Sequence, residues 1–351
     1  MATTFAVPDG RVAMAATTYT GTGTSSARSV TGVAFQPDFV WGKGRSVASQ
    51  HNLFDAVRGS GKRLISNSTA AEETNAAFGY LSSFDSDGFS TLAGSTNNEN
   101  WNQTSATYVA WSWKAGGTAV SNTAGTIASS VSANTTAGFS IVVYTGNGTN
   151  GATVGHGLGA KPSLIIEKGR STAYNWSVQG CGVLWTPATS TLFLNATNAL
   201  NVSGAIAAPT TSVFTPSATL YANESGVSNV AYCWAPVAGY SAFGSYTGNG
   251  SADGPFVYTG FRPRYILLKN TSVGSAGYDW EVVDTSRSAY NLVTAELAAN
   301  LSSAESSSWN SLDILSNGFK IRDPGAAQNG SGNTMIYAAF AENPLKYANA
   351  R

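Results

Sequence analysis

Residues 144–149 read YTGNGT, and the phrase stands again as YTGNGS at 246–251 and as YTGTGT at 19–24. A Gly-rich turn after an aromatic is either a ligand cradle or the punctuation that opens a repeated structural unit. The residues downstream of each copy separate the two. A proline comes 18, 18 and 17 residues after the tyrosine, at Pro37, Pro162 and Pro263. Each opens an apolar run that ends in lysine: PDFVWGK, PSLIIEK and PRYILLK, closing at Lys43, Lys168 and Lys269. Then come SQHNLFDAVRG, TAYNWSVQG and AGYDWEVVDTSR. Two units continue with a turn and strand, SDGFSTL and SNGFKI, of which the middle one keeps only TSVFTPS. Each closes on an aromatic run, YVAWSW, VAYCW or MIYAAF. Its last ring (Trp113, Trp234, Phe340) stands 94, 90 and 94 residues beyond the opening tyrosine. The chain reads as a triplication.

The local pattern is β. Short runs rich in Val, Ile, Tyr, Phe and Trp alternate with Gly, Asn, Ser, Thr and Asp clusters. In YVAWSW the bulky Val109, Trp111 and Trp113 alternate with Ala110 and Ser112, which sends the large side chains to one face. The prolines stand at strand starts, where a missing N–H is tolerated. Helical periodicity is nearly absent, with AYNLVTAELAANLSSAE (289–305) the best stretch for a short helix. The expected fold is all-β: three tandem β-sandwich repeats of jelly-roll type. The expected units are 19–117, 138–241 and 242–344, with an arm at 1–18, a small-residue linker at 118–137 and a tail at 345–351. The linker suggests a first unit set apart and a last two packed as a pair.

Composition removes several function classes. Charged residues are 11% of the 351, against about 25% in an average soluble domain. Lys+Arg and Asp+Glu both number 19, so the formal net charge is zero. Nucleic acid needs a basic stripe, and none is present. An anionic membrane surface has no polybasic segment to attract, and no apolar run is long enough to span a bilayer. The opening MATTFAVPDGRVAMAATTYTG has neither a basic nor an apolar leader region, so no secretory signal is expected. A neutral surface rich in Ser, Thr, Asn and Gly suits permanent incorporation into an assembly.

Few residues offer chemistry. Two Cys and two His give no zinc spacing and no nucleophile–base pair. Cys233 stands where the other units have Ser112 and Ala339, a small packed position. His51 aligns by motif with Tyr174 and Tyr278. The carboxylates Asp85, Asp87, Glu72, Glu73, Asp279, Glu281 and Asp284 are the material a glycosidase would need. The first two belong to a turn, Glu72 and Glu73 read as a solvated face, and no enzyme, metal site or cofactor is expected. Lys43, Lys168 and Lys269 read as charges protecting strand ends. What remains is carbohydrate binding by aromatics and amides. The stretch GSTNNENWNQTSA offers Asn97, Asn98, Asn100 and Trp101, and ESSSWNSL offers Trp309 and Asn310.

The phrases at 131–168 (VSANTTAGFSIVVYTGNGTNGATVGHGLGAKPSLIIEK), 243–272, 315–323 (LSNGFKIRD) and 336–344 (IYAAFAENP) resemble a family of repeated β-rich virion structural and tail-fibre-like proteins of tailed, often marine, bacteriophages. That resemblance implies a lectin-like β-sandwich and a place in the virion, on the tail before the head. It carries no catalytic or binding motif onto these residues. The implied function is a tail fibre or appendage that touches host-surface glycan. The alternatives are a passive adaptor, collar or head-decorating protein, and then a tailspike hydrolase. Its partners would be other virion proteins and copies of itself, a trimer being the form fibres generally take.

Overall fold

Strand alternation accounts for the architecture. In Thr107–Trp113, the side chains of Val109, Trp111 and Trp113 enter one apolar core while Ala110 enters another. A strand buried on both sides needs a layer on each. The computed structural model describes residues 5–181, 190–202, 206–217 and 222–344 and supplies both layers.

Among the described residues the named strands pair antiparallel, with one isolated parallel bridge between Ile127 and Val154, and five strands of each large sheet follow one spatial order. In the first sheet they are Met14–Thr20, Thr107–Trp113, Phe39–Gly44, Asn52–Asp55 and Lys62–Ile65. The second has Phe139–Thr145, Ser228–Trp234, Leu164–Gly169, Ser177–Gly180 and Ser190–Phe193. The third has Ser241–Thr247, Thr334–Pro344, Phe261–Asn270, Trp280–Asp284 and Leu297–Ala298. Register fixes the equivalences: Phe39 pairs with Trp113, Leu164 with Trp234 and Tyr265 with Phe340. A smaller sheet lies over one face of each. In the first unit it is Arg28–Thr31, Gly88–Leu92 and Tyr80–Asp85, which close on Val40, Phe54, Ala110 and Trp101. Two-residue strands at Val154–Gly155 and Val213–Phe214 serve the second, and Phe256–Tyr258, Gly318–Ile321 and Leu312–Leu315 the third. The chain is all-β and built from sandwiches.

The other faces of the three large sheets share a single core. Trp113 lies 6.1 Å from Trp234, 5.4 Å from Tyr265 and 5.6 Å from Phe340, while Phe39 stacks on Tyr232 at 4.3 Å. These contacts join all three sheets, and each buried ring stabilises the assembly by roughly 1.5–3 kcal/mol. The void between Trp41, Trp113, Trp234, Tyr265 and Phe340 measures about 10 Å³, room for one water at most.

Several expectations are corrected. The first unit is not set apart, because its Trp face is the middle of the shared core. Residues 118–137, expected as a linker, carry the strands Val120–Asn122 and Ser129–Asn134, which extend the second sheet. No helix forms at 289–305: Val293, Leu297 and Ala299 are drawn into the two cores, and Leu297–Ala298 pairs with Glu281 and Val282. Burial on two sides outweighs helix propensity there. The described helical elements include the short α-helix Ala326–Asn329 and a 3₁₀ turn at Gly10–Val12. The arm is structural: Val7 enters the shared core, and Met14–Thr20 is an edge strand. The tail at 345–351 and most of the CGVLWTPATSTLF stretch lie outside the described residues.

Candidate functional site

The repeated YTGNG phrase is held by its own chain. The backbone N–H groups of Thr22, Asn147 and Asn249 donate to the side-chain carbonyls of Asn102, Asn223 and Asn329 at 2.8, 3.1 and 2.9 Å. Gly23, Gly148 and Gly250, all at φ near +70°, donate to the main-chain carbonyls of the same asparagines at 2.8 Å. A Cβ on Gly21, Gly146 or Gly248 would stand 1.9, 2.3 or 2.4 Å from a backbone oxygen. The glycines allow this close approach, and the N–H groups of Thr22, Gly23 and their counterparts are turned onto the chain's own asparagines.

The recurrent lysines are not strand-end charges in solvent. All three are buried. Lys43 Nζ donates to the carbonyls of Gly44 (2.9 Å) and Ser302 (3.3 Å). Lys168 reaches Gly169 (2.8 Å), Thr172 (3.3 Å) and Thr69 (3.1 Å), and Lys269 reaches Asn270 (2.7 Å), Tyr278 (2.9 Å) and Thr197 (3.2 Å). Each lysine thus binds its own strand end and a loop of a neighbouring sandwich: first to third, second to first, third to second. Desolvation lowers each amine to about 8. At neutral pH it remains an ammonium, with three donors for these carbonyls.

Ion pairs stand beside two of these lysines. Glu72 receives Arg58 (3.0 Å) and Arg170 (2.8 Å), so it joins first and second sandwiches rather than facing water. Glu305 receives Arg45 (2.7 Å) and Arg287 (3.0 Å). At the remaining interface the equivalent positions are Leu200 and Thr271, and both charges are gone together. The backbone bond persists at all three, from Glu72, Leu200 and Glu305 N–H to Arg170, Thr271 and Arg45 carbonyls at 2.8, 2.8 and 2.7 Å. Asp55 holds Arg58 (2.5 Å) and accepts from Tyr232 (2.7 Å). Asp284 holds Arg287 (2.5 Å) and accepts from Trp111 (2.9 Å).

His51 is fully buried; its Nδ1 accepts from Trp41 Nε1 at 2.9 Å, and burial holds its pKa well below the usual range. Its counterparts are Trp176 and Trp280 rather than Tyr174 and Tyr278. The backbone N–H groups of His51, Trp176 and Trp280 donate to the equivalent Asn67, Asn195 and Asn300. His51 is a packing ring. Cys233 packs in the second sandwich's outer core at the small-residue position expected of it.

The loops proposed for carbohydrate reach two clefts, with a different set of residues from the one the motifs suggested. Trp101 is no stacking platform: it is 1% exposed, wedged 5.6 Å from Phe54 and 5.8 Å from Phe89 over the bare backbone of Gly42. Asn97 caps the N–H of Glu99 (3.1 Å), and Asn98 donates to Thr24 (2.6 Å), so both shape the loop. Asn100 is different. It is buried, its Nδ2 meets no acceptor among the described residues, and it lines a cleft of about 260 Å³. That cleft also takes Gln50, Phe78, Glu99 and Gln103 from the first sandwich and Ser302 from the third. Phe78 is 44% exposed. The Lys43–Ser302 bond brings the two walls together, so no sequence motif marks Gln50, Phe78, Gln103 or Ser302.

Trp309 is half-buried in a second cleft of about 440 Å³ within the third sandwich. Four carboxylates line it, Asp279, Glu281, Glu296 and Asp323, with Gln328. Asn310, beside Trp309, is exposed and outside the lining.

Over residues 13–344 the chain matches the family described as a domain of unknown function, DUF7483, and it belongs to that family. No curated protein and no solved structure matches it.

Proposed function

We propose that this member of the DUF7483 family is a structural protein of a phage particle, a tail fibre or tail appendage that contacts host-surface glycan between its first and third sandwiches. The observation that carries the reading is the amide-lined cleft. A sugar hydroxyl both donates and accepts, and so do the side-chain amides of Gln50, Asn100 and Gln103. Asn100 Nδ2 is buried without an acceptor there, a group that a ligand hydroxyl would satisfy. The part-exposed Phe78 offers an apolar face to the sugar's C–H groups. The walls are loops carried by sheets that the buried lysines join, which suits a recognition surface held ready before contact.

The test is binding of fluorescently labelled protein to host cells with and without surface polysaccharide. Saturable binding blocked by polysaccharide, and weakened several-fold by Asn100→Ala or Phe78→Ala, is the expected result. Polysaccharide-insensitive binding, or none by folded protein, would move the assignment to a second reading: a passive adaptor, collar or head-decorating subunit. Tyr258 and Tyr290, 67% and 87% exposed on the third sandwich, favour that reading as material for contact with other virion subunits.

A further inference from the structure

The acidic cleft has a counterpart in the first sandwich that contains a cation. Tyr265 pairs with Asp284 as Phe39 pairs with Asp55, and Glu281 pairs with Ala298 as Asn52 pairs with Ile65. By that register Glu281 stands at the position of Asn52, and Glu296 at that of Arg63. In the first sandwich the buried Arg63 guanidinium donates to Asn52 Oδ1 (3.0 Å) and Glu73 Oε2 (2.5 Å). In the third the arginine is replaced by a carboxylate, and no basic side chain lines the cleft.

Glu281 is 8% exposed. Its Oε1 accepts from Gln328 Nε2 at 2.6 Å, while Oε2 is buried and has no hydrogen bond among the described residues. The Trp309 indole N–H is near enough to favour its charged form without closing a bond of ordinary geometry. Burial and the neighbouring Glu296 carboxylate raise the Glu281 pKa well above the usual range, and burial raises Glu296 to about 7. Asp279 adds negative charge. Arg287, the positive group acting on Glu296, is already committed to Asp284 and Glu305. Lys269, whose charge acts on Asp279 and Glu281, is likewise committed, to the carbonyls of Thr197, Asn270 and Tyr278. A buried carboxyl with an unsatisfied oxygen, beside a half-buried one and with no cation lining the cleft, is costly to keep.

We propose that this cleft binds an organic cation, a guanidinium or primary ammonium group on a small ligand, in the place that Arg63 fills in the first sandwich. Glu281 and Glu296 hold the charge. The half-buried Trp309 supplies an aromatic surface that such a cation favours, and Ser306, Ser308 and Ser311 line the remainder for a polar ligand body. No three carboxylates converge as metal ligands among the described residues, which sets an organic cation ahead of a metal ion. The inference concerns a different cleft from the glycan reading and stands or falls separately.

Calorimetric titration of the full chain at pH 7 tests it with glucosamine, methylguanidine, glucose and calcium. Both cations, or one of them, are expected to bind, with glucose weaker by at least about tenfold, the loss of one charge-assisted hydrogen bond. Preference for glucosamine would point to an amino sugar, and preference for methylguanidine to a guanidinium compound. Binding should weaken at pH 5.5, where the carboxyls take up protons, and in Glu281→Gln. Glu296→Arg restores the internal cation of the first sandwich and should abolish binding while leaving the far-UV spectrum and Tm intact. Equal affinity for glucose and glucosamine, heat with calcium alone, no heat with either cation, or unchanged binding in Glu296→Arg would each overturn the proposal.

Discussion

Lys43, Lys168 and Lys269 show what a single buried amine can organise. Each joins carbonyls of two sandwiches through one ammonium. Lys168→Met would remove the donor shared by the Thr69, Gly169 and Thr172 carbonyls, of which Thr172 keeps the Tyr174 N–H. A loss of about 1–3 kcal/mol is expected from the urea midpoint, the usual penalty for an orphaned buried polar group. The amines also set a pH dependence. They titrate near 8 in the folded protein, against an ordinary 10.5. Between those values the unfolded chain holds more protons, so their contribution makes stability rise with pH from about 8 to about 10. Urea unfolding across that window measures it, and a flat or falling profile would mean the carbonyls keep the ammonium charged. At the buried acid–arginine node, Tyr232→Phe removes one neutral donor and should cost about 1 kcal/mol. Asp55→Ala leaves the buried Arg58 with Glu72 alone and Tyr232 without its acceptor, and should cost about 3 kcal/mol.

Among the elements, the YTGNG turn combines a readable identity with an unreadable partner. Its glycines mark a backbone need, which the sequence displays. The asparagine that clamps it lies roughly eighty residues away in each unit, at Asn102, Asn223 and Asn329. Gly146→Ala would drive a Cβ to 2.3 Å from the Glu224 carbonyl oxygen, whereas Gly151→Ala meets open space. Both positions are turns, yet Gly146→Ala should cost the larger amount, about 1–3 kcal/mol beyond any backbone strain. A smaller Tm loss in Gly146→Ala than in Gly151→Ala would refute the close-approach account. Register was the harder thing to read. The motif paired His51 with Tyr174 and Tyr278, two residues away from Trp176 and Trp280, because a short aromatic motif fits a strand at more than one offset.

Across the whole molecule, the sandwiches are bound into one body by the face that each alone would expose. Trp111 and Trp113 of the first unit pack against Trp234, Tyr265 and Phe340 of the others. Calorimetry should therefore give one cooperative unfolding transition. The fragment 1–117 made alone should aggregate or remain partly folded, since its apolar face is large and unpartnered. A monomeric fragment with its own sharp transition, or two well-separated transitions in the full chain, would contradict a shared core.

The sequence by itself determined the β class, the alternation that sorts bulky from small side chains, the sites of the turns and the loops that reach a cleft. These come from local rules: period-two patterning, glycine at close backbone approaches, proline at strand starts. Only the tertiary structure decided where the aromatic faces point. A strand pattern states that a face is buried and says nothing of which chain segment buries it, so a linker became two strands and a distant unit became a core neighbour. The same limit hid the sites. Trp101 and Trp309 look alike in sequence, but Gly42 leaves space for the first to sink between Phe54 and Phe89. Beside the second, Glu281 and Glu296 replace Asn52 and Arg63, leaving a cleft with negative charge and no cation of its own.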